Sequence, residues 1–165
     1  MFRGDSFTMQ LRQANKTDVS QLINMRLAYL SEDYGELTEE QTNTIRAQLL
    51  DYFGKHLNRD LFVYVCEDNS VIVSTVFLLI TEKPANLSFL TGLTGTIMNV
   101  YTLPHYRKRG IAGNLIRMAI REAKSKKLSY IDLKATQAAT SLYRKLGFAP
   151  DESKYLSMRC YINID

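Results

Sequence analysis

A basic turn ahead of an amphipathic stretch holds the residues of this sequence that are best suited to chemistry. The turn is Arg107-Lys-Arg-Gly110, and Gly113 follows three residues later. Apolar positions from 111 to 123 recur at helical spacing, so the sequence predicts a helix that begins at this turn. The first N–H groups of a helix have no partner within it and carry a partial positive charge. Because glycine leaves room for a ligand to approach them, the turn is predicted to bind an anionic group such as a phosphate.

The positive charge of the chain is concentrated in this turn and the helix after it. The net charge is +4, and residues 107–127 hold eight Lys and Arg side chains against the single acid Glu122. This segment therefore carries +7, and the remainder of the chain carries −3. A local field of one sign beside a candidate site favours an anionic ligand. A solvated helix face is the alternative interpretation.

Three motifs in the chain resemble those of the GNAT superfamily of N-acetyltransferases. Arg107, Gly110 and Ala112 match the acetyl-CoA pyrophosphate loop of that superfamily, [Q/R]-x-x-G-x-[G/A] after a strand that ends in a proline. Residues 142–148 look like its L-Y-x-x-x-G-F motif, and residues 11–18 are a weaker match to its first motif. The spacings of a P-loop and of a G-x-G-x-x-G dinucleotide motif are not found in the turn. The motifs occur in the expected order, so the resemblance covers nearly the whole chain.

The resemblance implies a binding cleft for acetyl-CoA, the co-substrate of the superfamily, where the fourth and fifth strands splay apart. The pantetheine arm is expected to pair with the backbone of Val100, Tyr101 and Thr102. The pyrophosphate is expected to bind the turn and the first residues of the helix that follows. Besides Arg107, the residues expected there are Lys108, Arg109, Gly110, Ile111, Ala112 and Gly113. Thr136 stands where the family often has an asparagine that contacts pantetheine. The alternative for Val100 and Thr102 is that they are ordinary strand residues.

Tyr143 is the candidate for proton transfer. An amine that attacks a thioester must expel a thiolate, and a phenol can donate a proton to that thiolate as the intermediate collapses. The alternative interpretation is a buried aromatic side chain at the end of an apolar helical stripe with Ala139 and Leu142.

The sequence identifies no general base. Related enzymes often use a carboxylate on the fourth or fifth strand, whereas Met98, Asn99 and Ile131 occupy those neighbourhoods here, and none of them accepts a proton at neutral pH. Transfer of the amine proton through a relay of water molecules is therefore an open alternative. Three acids between the first two helices either reach the acceptor or belong to a solvated loop: Glu32, Asp33 and Glu36.

The resemblance implies an enzyme that moves an acetyl group from acetyl-CoA to a primary amine by direct attack. The acceptor is either a small-molecule amine or a protein amine, and a homodimer is compatible with the resemblance. The alternative is a non-catalytic CoA-binding or regulatory module of the same fold. Nucleic acid is not an expected partner, because no aromatic residue lies between Lys108 and Lys127. No metal site is expected, since no His/Cys cluster has ligand spacing.

The elements that must position these residues follow the order β-α-α-β-β-β-α-β-α-β-β. Early hairpins and a later strand–helix–strand crossover predict an α/β fold with a mixed sheet and helices on both faces. The resemblance adds that the sheet is mostly antiparallel with splayed central strands. Capping boxes are predicted at Asp18–Gln21 and Thr38–Gln41. The alternation of residues 155–162 predicts a final strand with Cys160 in the core.

Composition indicates one domain over residues 1–165, and the resemblance implies that this is an N-acetyltransferase domain. The chain is 45% hydrophobic and 23% charged, and no Pro/Gly-rich linker divides it. Its longest apolar run, at 71–80, is shorter than a membrane span. Two cysteines are too few for a disulfide framework, so the expected location is the reducing cytoplasm, with no membrane partner. Both Cys66 and Cys160 are expected in the core rather than as nucleophiles.

Overall fold

The computed structural model describes residues 9–162 of the chain, arranged in two compact units. The first unit ends at Lys134 and the second begins at Ala135. The first unit contains the strands β1 (Met9–Gln13), β2 (Leu61–Asp68), β3 (Val71–Glu82), β4 (Leu93–Thr102) and β5 (Ile131–Leu133). Its α-helices are α1 (Val19–Tyr34), α2 (Glu39–His56) and α3 (Ile111–Ser125). The second unit contains the short helix α4 (Thr140–Lys145), preceded by one turn of 3-10 helix at Gln137–Ala139.

The five strands form one sheet in the order β1-β2-β3-β4-β5. The pairs from β1 to β4 are antiparallel, and β4 pairs with β5 in parallel after the crossover through α3. The mixed, mostly antiparallel sheet is therefore as predicted. The ladder between β4 and β5 has three residue pairs and ends at Ile97 opposite Leu133, whereas β4 continues to Thr102. β5 is the edge strand of the described sheet and ends at Leu133, so the second half of β4 has no β5 partner.

Helices cover both faces of the sheet. On one face, α1 and α2 contribute side chains such as Leu22 and Phe53 to a buried cluster that includes Val63 and Val65 of β2. On the other face, α3 packs against β2, β3 and β4. The Nζ atom of Lys126, directly after α3, lies 4.5 Å from the ring centre of Phe62. Alternate residues of β2 thus face opposite helical layers, as the period of a strand requires.

Two helix starts show where local capping signals hold. The predicted box at Thr38–Gln41 is present at the start of α2, so that prediction is confirmed. The box predicted at Asp18–Gln21 is wrong: Asn15 and Asp18 cap one another around a turn of 3-10 helix at Lys16–Asp18. The Gln21 side-chain oxygen instead accepts a hydrogen bond from the Ile72 N–H at 2.8 Å. The Asp18 carboxylate faces back toward β1, where Arg12 binds it.

The final strand predicted at 155–162 is wrong for the residues that the structure describes. No strand is assigned between Pro150 and Ile162, and the apolar side chains of this segment are exposed. Cys160 is exposed as well, against the expectation of a core residue, whereas Cys66 is buried as predicted. Alternation indicates a strand only when a neighbouring edge can pair with it, and this segment has no ladder partner here.

We expect Asp18 to link stability to pH. Arg12 donates two hydrogen bonds to the Asp18 carboxylate, Nη1 to Oδ2 at 2.7 Å and Nη2 to Oδ1 at 2.8 Å, and Asp18 is 4% exposed. The guanidinium of Arg12 lowers the pKa of that carboxyl. A lowered pKa means that the contribution is complete above the carboxyl range of the unfolded chain and is lost as the pH falls through the folded pKa.

Asp18→Asn is therefore expected to reduce the free energy of unfolding by about 1.5–3 kcal/mol at pH 7. Urea denaturation between pH 7 and about pH 3 should show a shallower loss of stability in this variant than in the wild type. Asp151→Asn, at an exposed position, serves as the control. Equal pH slopes for Asp18→Asn and the wild type would contradict the assignment.

Candidate active site

The predicted anion site is the N-terminus of α3, and its geometry fits that role. Gly110 is the N-cap with φ +76°, and no side chain caps this end of the helix. A Cβ at Gly110 would meet nothing within 4 Å, so the space in front of the helix is open. The first-turn N–H groups, those of Ile111, Ala112 and Gly113, have no acceptor within the helix. The structure therefore presents backbone donors and the positive end of a helix dipole together.

Two of the three basic side chains in the turn are directed to protein acceptors. Arg109 Nη2 donates to the His105 carbonyl at 2.8 Å, and its guanidinium lies 5.2 Å from the ring centre of Tyr106. Arg107 Nε donates to the Thr102 carbonyl at 2.8 Å. Lys108, which has φ +61°, is exposed, and no ion pair with it is found among the described residues. Sequence reasoning grouped the three cations, whereas the structure gives two of them a role in shaping the turn.

Along the second half of β4, beside this turn, no strand among residues 9–162 pairs with the edge that faces away from β3, which we call the free edge. Leu103 N–H donates to the Val73 carbonyl on β3 at 2.9 Å. Because backbone groups alternate between the two edges of a strand, those of Thr102 face away from β3. The edge lies beyond Ile97, where pairing with β5 has ended.

A bulge in β4 produces this geometry, and its key residue was missed at the sequence level. Asn99 and Val100 lie together opposite Val76, and Asn99 has φ +50°. The buried Asn99 side chain donates to Thr75 Oγ1 at 3.0 Å and accepts from Arg26 Nη1 at 3.1 Å. The available signal was an asparagine within a β-rich run, since asparagine tolerates positive φ better than its neighbours do.

Tyr101 and Glu32 form the α1 side of this strand end. Tyr101 is buried, and its ring lies edge-on to Tyr29 with 6.1 Å between ring centres. Burial raises the pKa of the Tyr101 hydroxyl, and the nearby Glu32 carboxylate raises it further. Arg107 Nη2 contacts Glu32 Oε2 at 2.7 Å, and this hydrogen bond lowers the pKa of Glu32. Glu32 is therefore an anion held by a cation rather than a proton acceptor poised near neutral pH.

In the second unit, the Tyr143 motif forms a complete helix end. The Phe148 N–H donates to the Tyr143 carbonyl at 3.1 Å, and the Gly147 N–H donates to the Arg144 carbonyl at 3.1 Å. Gly147 has φ +93°, and the rings of Tyr143 and Phe148 pack edge to face with 5.9 Å between centres. These are the bonds and the apolar contact of a Schellman motif. The spacing of tyrosine, glycine and phenylalanine therefore has a structural cause.

Thr136 lies in the same unit, at the N-cap of the 3-10 turn. Its side chain makes no capping hydrogen bond, and it is exposed. Its carbonyl accepts from the Ala139 N–H and from Thr140 Oγ1, both at 3.1 Å. The backbone of Thr136 is thus fixed while its side chain faces outward.

No group of three or more His, Cys, Asp or Glu side chains among residues 9–162 is arranged to hold a metal ion. None of the helices in that range combines the length and the apolarity needed to cross a membrane.

Comparisons with known proteins assign the family. The model of the acetyltransferase (GNAT) family matches residues 21–148, so this chain belongs to the GNAT family of acetyltransferases. A predicted acetyltransferase from Clostridium acetobutylicum, solved with acetyl-CoA, is 29% identical with a TM-score of 0.80, over 92% of this chain and 96% of that one. Among curated proteins, no sequence matches.

Two more distant structures show the same fold. A GCN5-related N-acetyltransferase from Ralstonia eutropha JMP134 is 23% identical with a TM-score of 0.73, covering 91% of this chain and 98% of that one. An aminoglycoside N-acetyltransferase in complex with CoA is 16% identical with a TM-score of 0.66, covering 96% of this chain and 100% of that one. The predicted fold class and the family resemblance are therefore confirmed.

We expect Tyr106 to anchor the turn before α3. Its hydroxyl donates to Asp68 Oδ2 at 2.8 Å, a bond that raises the pKa of the tyrosine, and Asp68 is 3% exposed. Tyr106→Phe leaves a buried carboxylate with one fewer donor, so the free energy of unfolding should fall in urea denaturation, and by more than in the control variant. Tyr34→Phe, at a tyrosine that is 77% exposed, should change it by less than about 0.5 kcal/mol. Similar values for both variants would show that the bond to Asp68 does not hold the turn.

Proposed function

We propose that this chain is an N-acetyltransferase that binds acetyl-CoA and transfers its acetyl group to a primary amine by direct attack. One observation carries the proposal: β4 loses its β5 neighbour after Ile97, and the same chain segment then leads into the uncapped glycine N-terminus of α3. A free strand edge next to a helix N-terminus suits a ligand that joins an amide-bearing arm to a pyrophosphate. Pantetheine and the diphosphate of CoA have this chemistry.

The proposed contacts follow from the orientation of each group. Val100 and Thr102 are proposed to offer backbone groups to the pantetheine amides, with the backbone of Tyr101 between them; the Thr102 carbonyl also accepts from Arg107, so its N–H is the unshared group. The N–H groups of the turn and of the first helical turn bind the pyrophosphate, assisted by the exposed charge of Lys108. Arg107 and Arg109 contribute their positive field and the shape of the turn. In the second unit, the exposed side chain of Thr136 is proposed as a further contact for pantetheine. The 29% identical relative, solved with acetyl-CoA, supports this choice of co-substrate.

The transfer itself needs two proton movements. The amine nitrogen forms a bond to the thioester carbonyl carbon, and the tetrahedral species that results collapses by breaking the carbon–sulfur bond. We propose that the Tyr143 hydroxyl donates a proton to the departing sulfur. The proton lost by the amine passes to water, because neither Met98 nor Asn99 accepts one and the Asn99 side chain is committed to Thr75 and Arg26.

The remaining proposals concern the context of the enzyme. One domain spans residues 1–165, supported by a family match that runs from the first unit into the second. The acceptor is a small-molecule amine or a protein amine. The location is the cytoplasm, in keeping with two free cysteines. A homodimer is the proposed assembly to test by sedimentation.

Acetyl-CoA is expected to stabilise the folded protein by about 2.7 kcal/mol at a hundredfold excess over its Kd. Gly110→Glu should abolish this stabilisation, because the new carboxylate would lie at the N-terminus of α3 and repel the pyrophosphate. Gly35→Glu is the matched control: Gly35 also has a positive φ, +91°, and open space around it. Thermal unfolding with and without acetyl-CoA measures both. If acetyl-CoA stabilised the Gly110→Glu variant as much as the wild type, the assignment of the phosphate site would be wrong.

Tyr143→Phe is expected to lower kcat about a hundredfold, the low end of general acid catalysis, because a thiol of pKa near 8.5 leaves partly unaided. Acetyl-CoA affinity should be nearly unchanged, since the phenylalanine ring retains the packing against Phe148. Release of free thiol over a panel of amines gives kcat, with Tyr34→Phe as the control. A folded Tyr143→Phe protein with wild-type kcat would show that Tyr143 is a packing residue. An inactive wild type that binds acetyl-CoA would favour the non-catalytic CoA-binding module.

A further inference from the structure

One guanidinium group joins three parts of the candidate site. Arg107 Nη2 lies 2.7 Å from Glu32 Oε2 on α1, and Arg107 Nε lies 2.8 Å from the Thr102 carbonyl at the end of β4. The same guanidinium lies 5.6 Å from the ring centre of Tyr101. The guanidinium of Arg107 is therefore held between helix α1, through Glu32, and strand β4, through Thr102.

Glu32 belongs to a stripe of three α1 residues that all reach the splayed half of β4 or the turn after it. Arg26 binds the Asn99 side chain, Tyr29 packs on Tyr101, and Glu32 binds Arg107. The spacing of three places them on one helical face. Helix α1 therefore contacts, through side chains, the half of β4 that lies beyond the last pair with β5.

We propose that Glu32 is a positioning residue for acetyl-CoA binding, acting through Arg107. The carboxylate fixes the guanidinium, which in turn fixes the Thr102 carbonyl at the free edge and the start of the turn that precedes α3. Glu32 itself does not touch the co-substrate. The inference rests on the proposed function, because it concerns the affinity of that same site for acetyl-CoA.

The proposal makes a prediction opposite in sign to that of simple electrostatics. CoA is a polyanion, so the removal of a nearby carboxylate strengthens the local positive field and should tighten binding. It also releases Arg107 to approach a phosphate directly. If Glu32 positions the site, its removal should weaken binding despite the more favourable field.

The first experiment measures the Kd of acetyl-CoA by calorimetry without any acceptor, for the full chain and its variants. Glu32→Ala removes both charge and acceptor and is expected to weaken binding about two- to fivefold, the range for an exposed ion pair. Glu32→Gln removes the same charge but keeps an oxygen that can accept from Arg107, so it should restore part of the affinity. Glu40→Ala, at an exposed glutamate on α2, controls for the loss of one negative charge and should not weaken binding.

The second experiment tests whether Glu32 acts through Arg107. In an Arg107→Ala background, Glu32→Ala should not weaken binding further, because the group through which it positions the site is gone and only the field effect, which tightens binding, is left. Additive losses would instead indicate that Glu32 affects binding independently. Urea denaturation of each variant confirms that the protein is folded at the temperature of the titration.

The outcomes separate this inference from the proposed function. Wild-type binding with an unchanged or tighter Kd in Glu32→Ala overturns the positioning role and leaves the proposed function standing. Equal Kd values for Glu32→Ala and Glu32→Gln also overturn it, since the hydrogen bond would then contribute nothing. If the wild type itself fails to bind acetyl-CoA, the proposed function fails, and this inference fails with it.

Discussion

The end of the ladder between β4 and β5 at Ile97 is the constraint on which the rest of the site depends. A strand in the middle of a sheet satisfies its backbone groups on both edges, and β4 does so only as far as Ile97. Beyond that point one edge needs other partners. The bulge at Asn99, the contacts from α1 and the hydrogen bond from Arg107 to Thr102 all concern this unpaired half. Within the first unit, the site is the place where regular pairing stops and specific side chains replace it.

The same constraint changes how the basic turn should be understood. Arg107 and Arg109 match what a phosphate site requires in charge, yet their guanidinium groups bind carbonyls of the protein and, for Arg107, Glu32. In the proposed site, these two arginines contribute a positive field and a fixed backbone to the bound anion. The proposed direct donors are the N–H groups at the start of α3, which cannot be lost by a change of rotamer. This division of roles is a physical reason for glycine at position 110. The φ angle there is positive, which favours glycine, and a Cβ would make no packing contact.

The L-Y-x-x-x-G-F motif is explained in part by the geometry of a helix end and in part by the proposed chemistry. The bonds from Phe148 and Gly147 back into α4 explain the glycine, the phenylalanine and the distance between them as a helix end. They account for the ring of Tyr143 through its contact with Phe148, but a phenylalanine ring would serve that contact equally well. The hydroxyl is the part of the motif that helix geometry does not require, and it is the part on which the proposed chemistry depends.

The sequence by itself determined the order of elements from β1 to α4, the box at Thr38–Gln41, the buried strands and the glycine turn before α3, because each depends on residues only a few positions apart. Tertiary structure alone decided the contacts that cross the chain. Glu32 and Arg107 are 75 residues apart, and Arg26 and Asn99 are 73 apart, so no local pattern announces either pair. Competition between partners also required the fold: Asp18 caps with Asn15, and Gln21 binds β3 instead. The segment at 155–162 alternates like a strand and is not one here, because a strand exists only when another backbone is in place to pair with it.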